Sequence, residues 1–294
     1  MRYKYSSSSK ELREGSGLPK IKSKYCVIEV RQAFLIQLGF RFGINGPHAA
    51  RTMMLDDLRL LLANTRPQAS RADYSAAIVD NNVLGKPTRK SRELAFRHMA
   101  TLYALDPGNP IFRALRHLWL FNEAAQPMLA LAVALARDPL LRGTQAFVLE
   151  QPVGVAVPRN LIENFLGASC SERFSSASLK SFAQNVAGTW TAAGLLQGRG
   201  RKIRALPPPH PESIAMLLFL GFLEGRTGQR LFSSEWLNVL CLALDELESL
   251  ASAAAHRGLL VFMNAGGVKE LRFPGYLTSE EELIRQQVSH VIKG

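Results

Sequence analysis

Four cations fall within six residues of this chain: Arg199, Arg201, Lys202 and Arg204. Set among Gly198 and Gly200, they can touch several successive phosphates or put one arginine into a minor groove. Three or four such contacts would make binding fall with salt at a log–log slope of about −0.9 per contact. Shortly before them, Lys180, Gln184 and Asn185 recur at helical spacing, and side chains of these types hydrogen-bond base edges in a major groove. A third cluster, Lys86, Arg89, Lys90 and Arg92, falls where a helix should start. Cations there oppose the helix dipole by about 0.3–1 kcal/mol each, and a bound phosphate would relieve them. A solvated helix end with Glu93 as partial relief is the alternative, as a solvated loop beside a core helix is for the first cluster.

Constellations for catalysis are missing by comparison. His48, His98, His117, His210, His256 and His290 form no His-Glu-x-x-His or paired-ligand spacing, and no Gly-x-Ser-x-Gly elbow occurs. Gly85-Lys86-Pro87-Thr88 is not a nucleotide-binding loop, because Asp80 and Pro87 occupy the places of its first glycine and its Ser/Thr. Cys26, Cys170 and Cys241 are too far apart for a Cys-x-x-Cys metal site and read as inert thiols. Asp138 could be catalytic but reads better as a partner of Arg137 or Arg142. The sequence predicts a protein that is not an enzyme and takes no cofactor or metal.

The elements that must position these residues are mostly helices. From Phe174, a serine N-cap followed by Leu179, Phe182, Ala183, Val186, Ala187 and Trp190 predicts an amphipathic helix whose other face carries Lys180, Ser181, Gln184, Asn185 and Gly188. Gly194 should end it, and Leu195–Leu206 should form a hairpin with the basic run at its tip. A helix followed by a basic hairpin is the ending of a winged helix. Further helices are predicted around Leu55–Leu62, after Asp73, from an N-cap at Thr88, over Ile111–Phe121, over Pro127–Arg137 and over Arg159–Leu166; MLALAVALAR is apolar almost all round, as in the centre of a bundle. After a stiff Pro207–Pro211 spacer and a helix Glu212–Leu223, the plan repeats: a helix from Ser234, one capped by Asp245 with Glu248, Gly258 as C-cap and a hairpin LLVFMNAGGVKELRF. That second module has a neutral to acidic helix face and an uncharged tip, chemistry suited to protein rather than phosphate.

The fold class expected is therefore mainly α, an N-terminal helical bundle followed by winged-helix-like modules with short β-hairpins. The domains expected are 53–206 and 212–294. Residues 1–52 read as a basic, disordered tail or as a mis-annotated extension ahead of a start at Met53 or Met54. They hold ten Lys and Arg against Glu11, Glu14 and Glu29, a net of +7 out of the formal +12, so the rest of the chain must concentrate its charge in patches. The longest apolar runs, Met128–Ala136 and Ile214–Leu223, fall short of the roughly 18 residues that span a bilayer, and no apolar signal segment precedes Tyr25, which points to the cytoplasm.

The stretch Asn82-Val83-Leu84-Gly85-Lys86-Pro87-Thr88, the Arg137-Asp138-Pro139-Leu140-Leu141-Arg142 element and the Trp190–Arg204 ending resemble the BrxA family of BREX bacteriophage-defence systems, which is related in fold to the NusB antitermination factors. The resemblance covers roughly residues 54–206. It implies a small, mainly helical, DNA-binding accessory protein without catalysis, its contacts falling on the basic hairpin and the Arg89–Arg92 helix start. Double-stranded DNA and other phage-defence subunits are the partners expected, with no membrane and no small-molecule substrate. An assembly adaptor of the same system and a NusB-like RNA binder are the alternatives.

Overall fold

The computed structural model describes residues 24–169 and 174–293. The sequence packs as fourteen helices among these residues, with two small antiparallel hairpins. In chain order the first helices are α1 (Lys24–Gln37), α2 (Leu55–Ala63), α3 (Arg71–Val79), α4 (Arg89–Tyr103) and α5 (Pro110–Trp119). Polar caps place their starts: Ser70 and Asp73 form a reciprocal capping box on α3, Thr88 and Ser91 do the same on α4, and Asn109 precedes Pro110 at the first turn of α5. Next comes α6 (Gln126–Arg137), buried on every side as its unbroken apolar sequence demands. It packs against α4, α5 and α10, and is the axis of the core.

The middle of the chain runs through α7 (Pro139–Gly143), α8 (Gln145–Glu150), α9 (Arg159–Ser169) and α10 (Ser176–Ala192) into a hairpin of β1 (Leu196–Gln197) and β2 (Ile203–Arg204). Between α8 and α9 an extended segment adds to the free edge of β2, bridging Ala156 to Ile203. Its ladder is Gly154 N–H to Arg204 O at 2.9 Å, Arg204 N–H to Val155 O at 2.9 Å and Val157 N–H to Lys202 O at 2.8 Å. The sequence shows only a Pro/Gly-broken link there. The order is thus helix, extended segment, two helices, hairpin.

The last part holds α11 (Pro211–Leu223), α12 (Gln229–Phe232), a 3-10 turn over Glu235–Leu240, α13 (Leu244–His256), β3 (Val261–Ala265), β4 (Val268–Arg272) and α14 (Ser279–Lys293). The β3–β4 register runs from Val261 opposite Arg272 to Ala265 opposite Val268, and Gly266 and Gly267 both take positive φ, as a tight two-residue hairpin turn requires. Two local expectations shift here. The segment from Ser234 is a short 3-10 turn, and the cap of α13 lies ahead of Asp245, where the Glu246 carboxylate accepts from Ala243 N–H at 2.8 Å. Beyond the proline spacer, α11 packs against α5, α6 and α13, and its side chains join the same hydrophobic core as the bundle.

Residues 24–52 depart most from the sequence reading. Residues 1–23 lie outside the described residues, but from Lys24 onward the chain forms α1, buries Leu35, Leu38 and Phe40, and threads His48 into the core. The sequence hides this, because the Ser- and Lys-rich residues upstream are polar and Gly39, Gly43, Gly46 and Pro47 break the apolar stretch that follows. Burial of Leu35, Leu38 and Phe40 is worth about 1.5–3 kcal/mol for each large side chain. Among the described residues no helix is long and apolar enough to cross a membrane.

Candidate nucleic-acid interface

Helix α10 is held from its apolar side. Phe182, Ala183, Val186, Ala187 and Trp190 are buried, and the Trp190 indole N–H donates to Thr144 Oγ1 at 3.0 Å. Ser175 caps the start, accepting from Ser178 N–H at 3.2 Å. Lys180, Ser181 and Gln184 are left exposed on the outer face, toward the N-terminal half of the helix. The C-terminal half is covered: a Cβ on Gly188 would meet the Thr52 methyl at 3.1 Å, and Asn185, half-buried, donates to His48 O at 3.1 Å. Asn185 therefore fastens the segment before α2 as well as facing the surface.

Thr189, one residue further, belongs to a buried chain of hydrogen bonds. Asp138 Oδ2 lies 2.7 Å from His48 Nδ1 and His48 Nε2 lies 2.7 Å from Thr189 Oγ1. Carboxylate, imidazole and hydroxyl stand in the order of a nucleophilic triad, but all three residues are fully buried and the Thr189 hydroxyl already accepts Met53 N–H at 2.9 Å. The chain is a structural fastening. Asp138 also accepts His48 N–H and caps α7 through Leu140 and Leu141 N–H. Its role thus differs from the expected pairing with Arg137 or Arg142; those arginines donate to backbone carbonyls, Arg137 to Leu102, Gly39 and Thr101, and Arg142 to Leu135, Ala136 and Arg41. Burial works to raise the Asp138 pKa, but the His48 ring and the converging N–H groups outweigh it and hold the carboxyl below its ordinary value.

The hairpin presents fewer free cations than its sequence suggests. Arg199 and Arg201 are exposed, and neither makes a hydrogen bond or ion pair among the described residues. Lys202 is half-buried and closes the turn by donating to Gly198 O at 2.6 Å. Arg204, expected to track a phosphate backbone, is 2% exposed. Its guanidinium donates to Val148 O at 3.1 Å, Leu195 O at 3.2 Å, Ala205 O and Cys241 Sγ at 3.1 Å. The physical reason is that three backbone carbonyls converge there, Val148 O near the end of α8 and Leu195 O and Ala205 O beside the hairpin, and one guanidinium with several N–H groups serves them together. Gly198 has φ +97, and a Cβ there would stand 2.3 Å from Arg201 O, so the turn that aims Arg199 and Arg201 outward depends on glycine.

The cluster at the start of α4 divides. Lys86 pairs with Asp57 at 2.9 Å and lines, with Gly188 and Ala192 of α10 and with Arg51, a cleft of about 700 Å³. Lys86 thus comes to the covered edge of α10, away from Lys180 and Gln184, which do not line the cleft. Arg89 is turned elsewhere, paired with Glu93 at 3.1 Å and Asp80 at 3.5 Å. Among the described residues Lys90 is exposed without a partner, and Arg92 is half-buried with its Nε unpartnered. The sequence reading missed Arg51, which lies in the stretch taken for a tail, and Arg97, a lone cation within α4. Both are exposed and unpaired, and after burial their charges are what hold the His98 pKa below its ordinary value.

No protein-family model matches this chain, and no curated protein matches it in sequence. Two solved structures are similar in overall course: an SspB crystal structure, at 12% identity with a TM-score of 0.49 over 87% of this chain and 99% of that one, and a magnesium ion-bound SspB crystal structure, at 11% identity with a TM-score of 0.46 over 86% and 98%.

Proposed function

We propose that the segment from α8 to β2 is a winged helix and that the protein is a non-catalytic double-stranded DNA-binding accessory protein of a BREX-like phage-defence system. The single observation that carries DNA binding is the pair of exposed, unpartnered guanidinium groups, Arg199 and Arg201, at the tip of a hairpin that directly follows a helix with a free polar face. In this reading Lys180 and Gln184 enter or border the major groove while the tip arginines lie on the backbone or in the minor groove. The defence role rests on the sequence resemblance to BrxA.

The test is a salt titration of duplex-DNA binding by the full chain and by its Arg199→Glu/Arg201→Glu variant. Losing two phosphate contacts lowers the log–log slope by about 1.8. Equal slopes and equal affinities for the two proteins would reject the hairpin as the site.

A second reading concerns the other hairpin. Met263 and Val268 are 45% and 74% exposed near its tip, while its cations are neutralised, Lys269 by Glu248 and Arg272 by Glu270. An apolar tip without free charge favours a protein partner, and we assign β3–β4 the adaptor contact to another subunit of the same system.

A further inference from the structure

Away from α10, a second cleft of about 660 Å³ opens between α3, α4, the end of α6 and the turn after α1. Arg41, Arg71, Arg89, Arg97 and Arg137 all line it, and Glu93 is its sole carboxylate among the described residues. That carboxylate is already engaged by Arg89. Arg137 is 8% exposed and has no acidic partner; its N–H groups go to the carbonyls of Leu102, Thr101 and Gly39. Arg41 donates to Thr101 O at 3.1 Å and Arg71 to Ala104 O at 2.9 Å, each through one nitrogen, and the remainder of both forks makes no hydrogen bond among the described residues. The Arg97 side chain makes none among the described residues.

The closing carbonyls of α4 supply a partial negative charge that explains why one arginine is drawn there. They do not balance three. Burial pushes the Arg137 pKa down to about 10, and repulsion from Arg41 and Arg71 adds to it. An uncompensated buried guanidinium with two like neighbours is costly, and the cost is removed by an anion that several forks can share. The cleft is concave and of small-ligand size, unlike the convex hairpin that suits a duplex. Its wall adds the half-buried Phe96 ring, with the Arg71 guanidinium 5.6 Å from its centroid.

We infer that the cleft lined by Arg41, Arg71, Arg97 and Arg137 binds a small, multiply charged phosphate ester or polyphosphate, of the nucleoside di- or triphosphate class. The inference stands whether or not the hairpin binds DNA.

Calorimetric titration of the full chain with ATP and, separately, with inorganic tripolyphosphate, both without divalent metal, tests it. Thermal unfolding is followed in parallel. One ligand per chain is expected, with a Kd in the micromolar range and a rise in Tm on addition. Arg97→Glu, at an exposed side chain with no contacts to lose, should weaken binding at least tenfold and leave the Tm of the unliganded protein unchanged. Arg199→Glu/Arg201→Glu should leave the affinity intact. Equal affinity for the two probes places recognition in the phosphates; tighter ATP binding adds the base. Saturation with no heat and no Tm shift at millimolar probe overturns the inference. Undiminished binding to Arg97→Glu, loss of binding in the hairpin variant, or displacement of bound ATP by stoichiometric duplex DNA would each do so as well.

Discussion

Asp138 performs four tasks with two oxygens: it accepts from the backbone and ring of His48 and from the first free amides of α7. Replacing it with Asn keeps the shape but loses the charge, and should cost about 1–3 kcal/mol in urea unfolding at neutral pH. His48→Ala should cost more, about 3–5 kcal/mol, because it leaves a buried carboxylate without its main partner. The pH dependence has a defined sign. The folded-state pKa of Asp138 lies below its ordinary value of 3.8, so the stabilisation it brings is complete above the ordinary carboxylate range and is lost as pH falls through the lower folded value. Acid titration of unfolding free energy should show this loss in the natural protein and its absence in Asp138→Asn. The sequence singles out Asp138, but as a partner of Arg137 or Arg142; its true partner is not legible there, since His48 lies 90 residues away in a stretch whose composition reads as a tail. Arg204 misled for a related reason. Four cations in six residues carry no sign of which one faces a buried cluster of carbonyls.

At the scale of elements, helix starts and tight turns were the most legible features, because each depends on one or two residues with a local job. Ser175, Thr88, Gly194 and Gly258 all stand where their chemistry places them, the two glycines at φ +82 and +72. The extended segment at 153–157 was illegible, since its pairing with β2 uses backbone groups alone and its own sequence is broken by Pro152 and Gly154. The hairpin offers a test of geometry separate from charge. Gly198→Ala preserves every cation but forces a Cβ against Arg201 O, so it should reopen the turn. Weaker duplex-DNA binding at unchanged net charge is the expected result. Binding equal to that of the natural protein would show that the tip arginines act without a fixed orientation.

For the whole molecule, one core links parts that composition separates. Leu35, Leu38 and Phe40 from the N-terminal segment and the helix after the proline spacer share a single cluster with α6. A chain beginning at Met53 should therefore fail to reach the native state, read as loss of a cooperative thermal transition. Leu131→Ala, at the centre of α6, should cost about 2–5 kcal/mol and still fold. The general character of the fold, helices around an apolar axis with two hairpins, was available from periodicity. How residues 24–52 close the structure was not, because the contacts that hold them come from distant parts of the chain, Asp138 and Thr189 on His48 and α14 on α1.

That closure has a temporal side. Helix α1 packs against α14, and Arg31 reaches the Glu224 carboxylate at 3.9 Å. During synthesis α1 emerges long before α14, so it must wait for all the intervening chain before it can dock. Until then the face of α1 that meets α14 stays uncovered, and contacts this distant in sequence form slowly. The nascent protein is consequently most exposed to misassociation just before α14 emerges, and slowing the ribosome through α14 should raise the aggregated fraction more than slowing it through the elements between α1 and α14.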